Sequence, residues 1–263
     1  MQKDIVVGLG EIGFPLYKLF SKSFITEGFD INSKLIPKSL KKNKLLPIRF
    51  LHISIPFSKK FNSDIIKLVK KFEPRGIVIH STIKPTTTFK LQKKLSIPVI
   101  YSATRGVHKR MSSDIKRYTK FFAIEDTAPN KKWACKEFAK LLKISNIKSN
   151  QVSSPITLEL AKIVCDTSYY GWLINYAQMS KMIAKKYNVD YDEMWSFSDE
   201  IHKFLGNRPK LFPGFIGGHC VIPNLELINE ESLNRIDKLN NLYDKKIKNA
   251  KSIAKKYNQK LNR

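Results

Sequence analysis

Three groups of residues carry types and spacings that could do chemistry. The first is Gly8-Leu9-Gly10-Glu11-Ile12-Gly13, which follows the apolar run Ile5-Val6-Val7 and opens an apolar-periodic stretch through Leu16 and Phe20. Glycines so spaced between a strand and a helix permit a tight turn and let backbone N–H groups approach a pyrophosphate. The helix N-terminus adds partial positive charge. Asp30 closes the next strand-like run, 17 positions after Gly13. An acid there would accept hydrogen bonds from the adenosine ribose hydroxyls and repel a 2′-phosphate, favouring NAD over NADP. The plainer alternative is a Gly-rich turn that only packs a helix on a sheet.

The second group is Phe212-Pro213-Gly214-Phe215-Ile216-Gly217-Gly218-His219-Cys220. Its glycines free the backbone to approach a ligand closely. A Cys just after such a turn can be exposed and oriented, and cationic surroundings favour its thiolate; a buried structural Cys is the alternative. The third group is Glu159, Lys162 and Asp166, at i, i+3 and i+7, which share one face of an α-helix. Such spacing usually marks an exposed salt-bridged stripe. Leu158, Leu160, Ala161, Ile163, Val164 and Cys165 around it are apolar, so this part of the helix is expected to be buried nearly all round, where charges need partners or a function.

Alternating elements must position these groups. Strand patterns run over 50–55, ending at Pro56, over 76–80, ending in Ser81-Thr82, over 98–101 and over 118–124; helical patterns cover 63–72, 86–95 and 131–142. This alternation argues a Rossmann-type, doubly wound, mostly parallel sheet with helices on both faces. Ligands in such sheets bind beyond the strand C-termini, so the Gly8 loop, Asp30, Pro56, Thr82 and Ser102 fall along one edge. Gly8, Gly10, Glu11, Ile12, Gly13, Asp30, Pro56 and Thr82 are therefore the expected cofactor-binding residues. The pattern changes near Asn150. Ser153-Ser154-Pro155 reads as a helix start, and 156–187 contains no Gly or Pro except Gly171. A helix of that length usually crosses between domains or packs on a partner. A second helix is expected over 192–205. The organisation expected is a cofactor domain over 1–150, an all-helical domain with the Cys loop over 151–229, and a basic helical tail over 230–263.

Composition excludes several classes. With 263 residues, 42% hydrophobic and 27% charged, the chain can bury a core and is not disordered. No apolar run approaches the ~18 residues of a membrane span. The N-terminus enters a strand at once, without a secretory signal pattern, so a cytoplasmic location is expected. The net charge of +26 invites a nucleic-acid reading, but 40 of the 48 basic residues are lysine and no recognition module is visible. Nucleic acid is not the expected partner. Cys135, Cys165 and Cys220 lack zinc spacing, and no metal is expected. Cys135 and Cys165 are expected as packing residues.

Taken in order, Gly8–Gly13, Ser81-Thr82, Glu159-Leu160-Ala161-Lys162 and Phe215-Ile216-Gly217-Gly218-His219-Cys220 resemble the UDP-glucose/GDP-mannose dehydrogenase family, over roughly residues 4 to 224. The resemblance implies NAD as cofactor and oxidation of the C6 alcohol of a nucleotide sugar to a carboxylate. Cys220 would attack the C6 aldehyde to give a thiohemiacetal and later a thioester. Lys162 would stabilise oxyanion character at the sugar, and Thr82 would sit at the nicotinamide and substrate edge. Glu159, Asp166 and Asn224 complete the implied catalytic set, with Arg208 and Phe212 near substrate-contact positions. The long helix would support a homodimer. Three departures stand out. The family usually has Asn where this chain has Asp166 and Asp where it has Asn224, an exchange that keeps the local charge if the two face each other. Ala103-Thr104 replace a Pro-Glu that assists thioester hydrolysis. The family continues into a domain that binds the nucleotide of the sugar, whereas 39 residues follow Asn224 here. A smaller sugar substrate, or a separate nucleotide-binding chain, is the corresponding expectation. Two other readings stay open: a two-electron dehydrogenase of a small hydroxy acid, similar to the β-hydroxyacid dehydrogenases, and a non-catalytic NAD-binding relative.

Overall fold

The computed structural model describes residues 1–37, 45–199, 201, 204, 213–217, 221–228 and 231–251. Two compact units follow one another, Met1–Lys162 and Ile163–Arg263.

The first unit is built on strands β1 (Lys3–Val7), β2 (Thr26–Phe29), β3 (Ile48–Ile53), β4 (Gly76–Ile79), β5 (Val99–Tyr101), β6 (Lys120–Ile124) and β7 (Ser149–Gln151). Their order is β2-β1-β3-β4-β5-β6-β7. β1 to β5 pair in parallel. β6 runs antiparallel to β5, and β7 is parallel to β6. The helices are α1 (Gly13–Phe20), α2 (Phe61–Phe72), α3 (Thr87–Gln92), α4 (Met111–Arg117), α5 (Lys131–Ile144) and α6 (Pro155–Ala161). This is the doubly wound α/β arrangement the alternation implies. The direction of β6 and the existence of β7 are additions. β7 is a three-residue, fully exposed strand with no apolar pattern, so periodicity has nothing to detect there.

Both faces of the central strands are covered, which is why they read as continuous apolar runs. The period of two assigns the faces. Val6, Phe50, Val78, Ile100 and Phe122 pack with Leu16, Phe20 and Phe138 on one side. Ile5, Val7, Leu51, Ile53, Ile77 and Ile79 pack with Ile65 and Leu91 on the other. The same alternation carries a polar row along the first face, two residues from each apolar one: Asp4, His52, His80 and Ser102, all buried.

The second unit contains α7 (Tyr169–Lys186), α8 (Tyr191–Ser196), α9 (Val221–Ile228) and α10 (Glu231–Lys246). Residues 231–251, read from sequence as part of a basic tail, pack into this unit. Asn240 of α10 accepts from Gln178 Nε2 at 3.0 Å and from Ile216 N at 2.8 Å, and donates to Ile216 O at 3.1 Å. Gln178 also donates to Gly214 O at 2.7 Å. These amides fix the segment 213–217 that leads to Cys220.

The long helix departs from expectation in two respects. Between α6 and α7 the stretch Lys162–Ser168 is wound as a π-helix, so the uniform α-helical spacing assumed for Lys162 and Asp166 does not hold. The wider turn brings the Ser168 hydroxyl to the carbonyl of Ile163, five residues back, at 2.6 Å. Nor is the helix buried all round. Leu160 is 38% and Val164 41% exposed, and Cys165 is exposed rather than packed. The inward side of α7 is small or polar instead: Gly171, Asn175, Ala177, Gln178, Ser180 and Ala184. Gly171 admits close contact, since a Cβ there would lie 3.0 Å from Val221 and 3.2 Å from Ile236. Close packing on that side leaves the large apolar side chains facing outward.

Candidate cofactor-binding and active site

In the first unit the chain passes from β1 to the edge strand β2 and then crosses to β3 on the other side of β1. That reversal is a topological switch point, and in open α/β sheets ligands bind beyond the strand ends there. The Gly8 loop leaves β1 at this point, and each glycine meets a separate demand. Gly8 has φ +84°, a left-handed turn that favours glycine. A Cβ on Gly13 would lie 1.7 Å from Gly8 O and 3.1 Å from Ser54 Cβ, so Gly13 lets α1 start directly against the loop and β3. A Cβ on Gly10 would meet nothing within 4 Å. Gly10 is exposed, and the open space above it is what a phosphate group approaching the backbone needs.

Asp30 follows β2 and turns toward this loop. Its Oδ2 accepts from Leu9 N at 2.6 Å and its Oδ1 from Asn32 N at 2.8 Å. The carboxylate is thereby fixed beside the glycines, with further lone pairs on each oxygen for ribose hydroxyls. Ser54, after β3, presents a buried hydroxyl without a protein partner among the described residues. These features fit a dinucleotide: a turn, an open backbone approach, a fixed acid and an unengaged hydroxyl.

Pro56 is exposed and Thr82 half-buried, both on loops beyond strand ends. Ser81 donates to Ile55 O at 2.6 Å and ties those loops together. Ile12 packs on the core. The Glu11 side chain leaves the loop and pairs with His108 Nδ1 at 2.8 Å, a contact from the segment after β5 that spacing could not reveal.

Glu159, expected in the catalytic set, is engaged by hydrogen bonds. Its carboxylate accepts from Thr86 N at 2.6 Å, Thr88 N at 2.9 Å and Thr88 Oγ1 at 2.7 Å. It caps α3 from outside and holds Thr86 in a left-handed conformation, φ 71°, that is unfavourable for a β-branched residue. It is 1% exposed, and burial pushes its carboxyl up against the hydrogen bonds that pull it down. A carboxylate so engaged supports the β4–α3 loop that carries Thr82.

Lys162 is half-buried where α6 passes into the π-helix, Asp166 is half-buried within that π-helix, and Asn224 is half-buried in α9. Cys220, with Gly218 and His219 before it, lies outside the described residues, as do Arg208 and Phe212. Among the described residues no group of three or more His, Cys, Asp or Glu is placed to hold a metal, and no helix is long and apolar enough to cross a membrane.

The polar row on the sheet was missed entirely by sequence reasoning. Asp4 receives Arg49 on both oxygens, at 3.0 and 2.6 Å, and the N–H of Phe50 at 3.1 Å. His52 lies 3.4 Å from Asp4 and 3.0 Å from His80. His80 Nδ1 lies 3.2 Å from Ser102 O, which only accepts. His52 thus stands between the His80 ring and the Asp4 carboxylate in a continuous buried polar row. Burial holds both histidines below the ordinary imidazole range, His80 further than His52. Burial also pushes Asp4 up, but His52 and Arg49 outweigh it and keep Asp4 below the usual carboxylate range.

By sequence the chain matches no protein-family model and no curated protein. By structure it is similar to UDP-D-ManNAc dehydrogenase from Pyrococcus horikoshii, with TM-score 0.73 and 16% identity over 92% of this chain and 69% of that one. The UDP-N-acetyl-mannosamine dehydrogenase Cap5O from Staphylococcus aureus gives TM-score 0.70 and 18% identity over 92% and 68%. The 3-hydroxyisobutyrate dehydrogenase of Mycobacterium tuberculosis gives TM-score 0.64 and 12% identity over 93% of each chain. The fold is that of these dehydrogenases, a Rossmann-like α/β unit followed by a helical one. The chain spans about two thirds of the nucleotide-sugar dehydrogenases it resembles.

Proposed function

We propose that the chain is an NAD-dependent dehydrogenase acting on a CH–OH group, with a primary alcohol of a sugar or sugar nucleotide as the substrate class. The observation that carries this reading is the Gly8–Gly13 loop with Leu9 N donating to Asp30 at 2.6 Å at the switch point of the sheet. Gly8, Gly10 and Gly13 would hold the pyrophosphate, and Asp30 the adenosine ribose. NAD⁺, when bound, supplies the hydride acceptor. The chain's own residues would do the rest. Thr82 lines the edge held by Glu159, Lys162 stabilises oxyanion character at the substrate oxygen, and Cys220 attacks the aldehyde carbon. Asp166 and Asn224 complete the catalytic set that the resemblance implies.

The test is NADH production from UDP-N-acetylmannosamine, UDP-glucose and 3-hydroxyisobutyrate. Two NADH per sugar nucleotide, with the second lost in Cys220→Ser, is the expected outcome. The match over 93% of both chains to a 3-hydroxyisobutyrate dehydrogenase supports a second reading, oxidation of a small hydroxy acid. One NADH from the hydroxy acid, unaffected by Cys220→Ser, would select it. NADH binding without turnover would leave a non-catalytic relative. A separate chain supplying a nucleotide-binding domain is part of the first reading, and co-purification with such a chain tests it.

We also propose a homodimer through the long helix. Tyr169, Tyr170, Tyr176 and Tyr187 on α7 are 55%, 52%, 58% and 68% exposed, with Trp172 at 40% and Ile183 at 46%. An aromatic face of that kind usually marks an interaction surface. Sedimentation should give a dimer, and a Tyr169→Glu/Tyr176→Glu variant a monomer. A monomeric wild type would remove this proposal.

A further inference from the structure

β6 is antiparallel to β5, so it begins where β5 ends. Its first residue, Lys120, is thereby placed at the carboxyl edge of the sheet, where the parallel strands end. The side chain is 5% exposed. Its Nζ donates to Ser102 O at 2.9 Å, to Ala103 O at 3.3 Å and to Thr104 Oγ1 at 3.1 Å. These three residues form the chain just beyond β5. The segment is otherwise held from both sides: Ser102 N and Thr104 N donate to Ile79 O and His80 O of the β4 end, and Ser102 Oγ donates to Phe121 O at 2.8 Å. Arg105 is fixed nearby through Thr119 O at 2.7 Å. Thr104, Arg105, Tyr118 and Lys120 line a shallow cleft at this edge.

We infer that Lys120 is a positioning residue: its amine fixes Ser102–Thr104 and, by gaining or losing one proton, reverses the direction in which the Thr104 hydroxyl donates. With the ammonium, all three Nζ protons are used, Thr104 Oγ1 accepts, and the hydroxyl proton is free to donate elsewhere. The neutral amine has two N–H groups and a lone pair. Both carbonyls stay bonded only if the Thr104 hydroxyl turns inward and donates to nitrogen, and toward the cleft that oxygen then offers lone pairs alone. The perturbing charges are both positive, and each disfavours the ammonium. Burial, then Arg105 from the β5–α4 link and Lys162 from the end of α6, push the ammonium down to about 7. His80, just after β4, and His52 on β3 are lowered chiefly by burial and further by the Lys120 charge. The relevance of this wall to a ligand rests on the proposed function, which puts the reacting end of the substrate at this edge.

The experiment follows the ¹⁵Nζ signals of the full chain, labelled on lysine, and the Ser102, Ala103 and Thr104 backbone amides across neutral pH. Lys120→Met assigns the lysine signal. Lys120→Arg keeps a charge that does not titrate and preserves the fold if the methionine variant does not. One ¹⁵Nζ signal should titrate near pH 7, far from the ~10.4 of ordinary lysines. The three amides should follow it in the wild type and stay flat in Lys120→Arg. Titration of Lys120 near 10, or the same amide shifts in Lys120→Arg, would overturn the inference. A parallel NADH titration separates the two ideas. Absence of NADH binding removes the proposed function and with it the ligand role of this wall, whereas the NMR titration decides the proton-dependent hold itself.

Discussion

Gly10 and Gly13 are both glycines of one loop, yet replacing each by alanine should do opposite things. In Gly13→Ala the new Cβ starts 1.7 Å from Gly8 O and 2.9 Å from Gly8 C, both backbone atoms. Real Cβ contacts do not fall below 3.0 Å, so the loop or α1 must shift by about 1.3 Å, and a shift of packed backbone costs roughly 3 kcal/mol, the upper end of overpacking. For a chain of this size that lowers Tm by about 6–12 °C. In Gly10→Ala the Cβ meets nothing within 4 Å, and Gly10 is not among the glycines with positive φ. Its stability should change by no more than ~0.5 kcal/mol, or rise slightly as the unfolded chain loses freedom. The same methyl fills the space above the backbone that a pyrophosphate needs, so NADH affinity should fall at least tenfold, about 1.4 kcal/mol. Thermal unfolding followed by circular dichroism reads the first quantity and calorimetric NADH titration the second. The reasoning is refuted if Gly10→Ala melts as early as Gly13→Ala, or if it binds NADH like the wild type.

Arg49→Met should strand the Asp4 carboxylate, which is 0% exposed, and cost about 3–5 kcal/mol in urea unfolding; a loss under ~1 kcal/mol would mean that the pair does not hold the sheet. Glu159→Ala removes the acceptor for three donors on Thr86 and Thr88. It should destabilise by roughly 2–4 kcal/mol and release Thr86 from its left-handed conformation, seen as loss of amide protection in that loop. The pH dependence has a definite sign. His52 and His80 have folded values depressed below the unfolded one, so the unfolded chain takes up more protons and stability falls as pH drops through and below ~6.5. His80→Asn, which keeps a donor toward Ser102 O and cannot titrate, should flatten that part of the Tm-against-pH curve; an unchanged curve would show that His80 does not contribute.

The geometry of the glycine loop is legible in the sequence because each of its demands is local: a turn at Gly8, open space at Gly10, a close contact at Gly13, and an acid at the next strand end. Other features depend on register between distant segments. Asp4, His52 and His80 sit singly in apolar runs, and only strand pairing makes them neighbours. Lys120 reads as an ordinary strand-start lysine until the antiparallel direction of β6 is known. Glu159 has helical spacing to Lys162 that suggests a shared chemical face, but its partners are Thr86 and Thr88, more than seventy positions earlier. The long helix was recognisable as a helix; periodicity did not reveal the π-helix or that the large aromatics face outward while small and polar residues face the core. Cys220, the sharpest chemical signal in the sequence, falls outside the described residues, so its role rests on the resemblance alone.

The central claim is that the Gly8–Gly13 loop and Asp30 bind a nicotinamide dinucleotide through an unphosphorylated adenosine ribose. Calorimetric titration of the wild type and Asp30→Ala with NADH and NADPH tests it most directly. The account predicts that NADH binds, that NADPH binds at least about tenfold more weakly, and that Asp30→Ala loses most of the NADH affinity and narrows the difference. Binding of neither dinucleotide, or tighter binding of NADPH than of NADH, would contradict it.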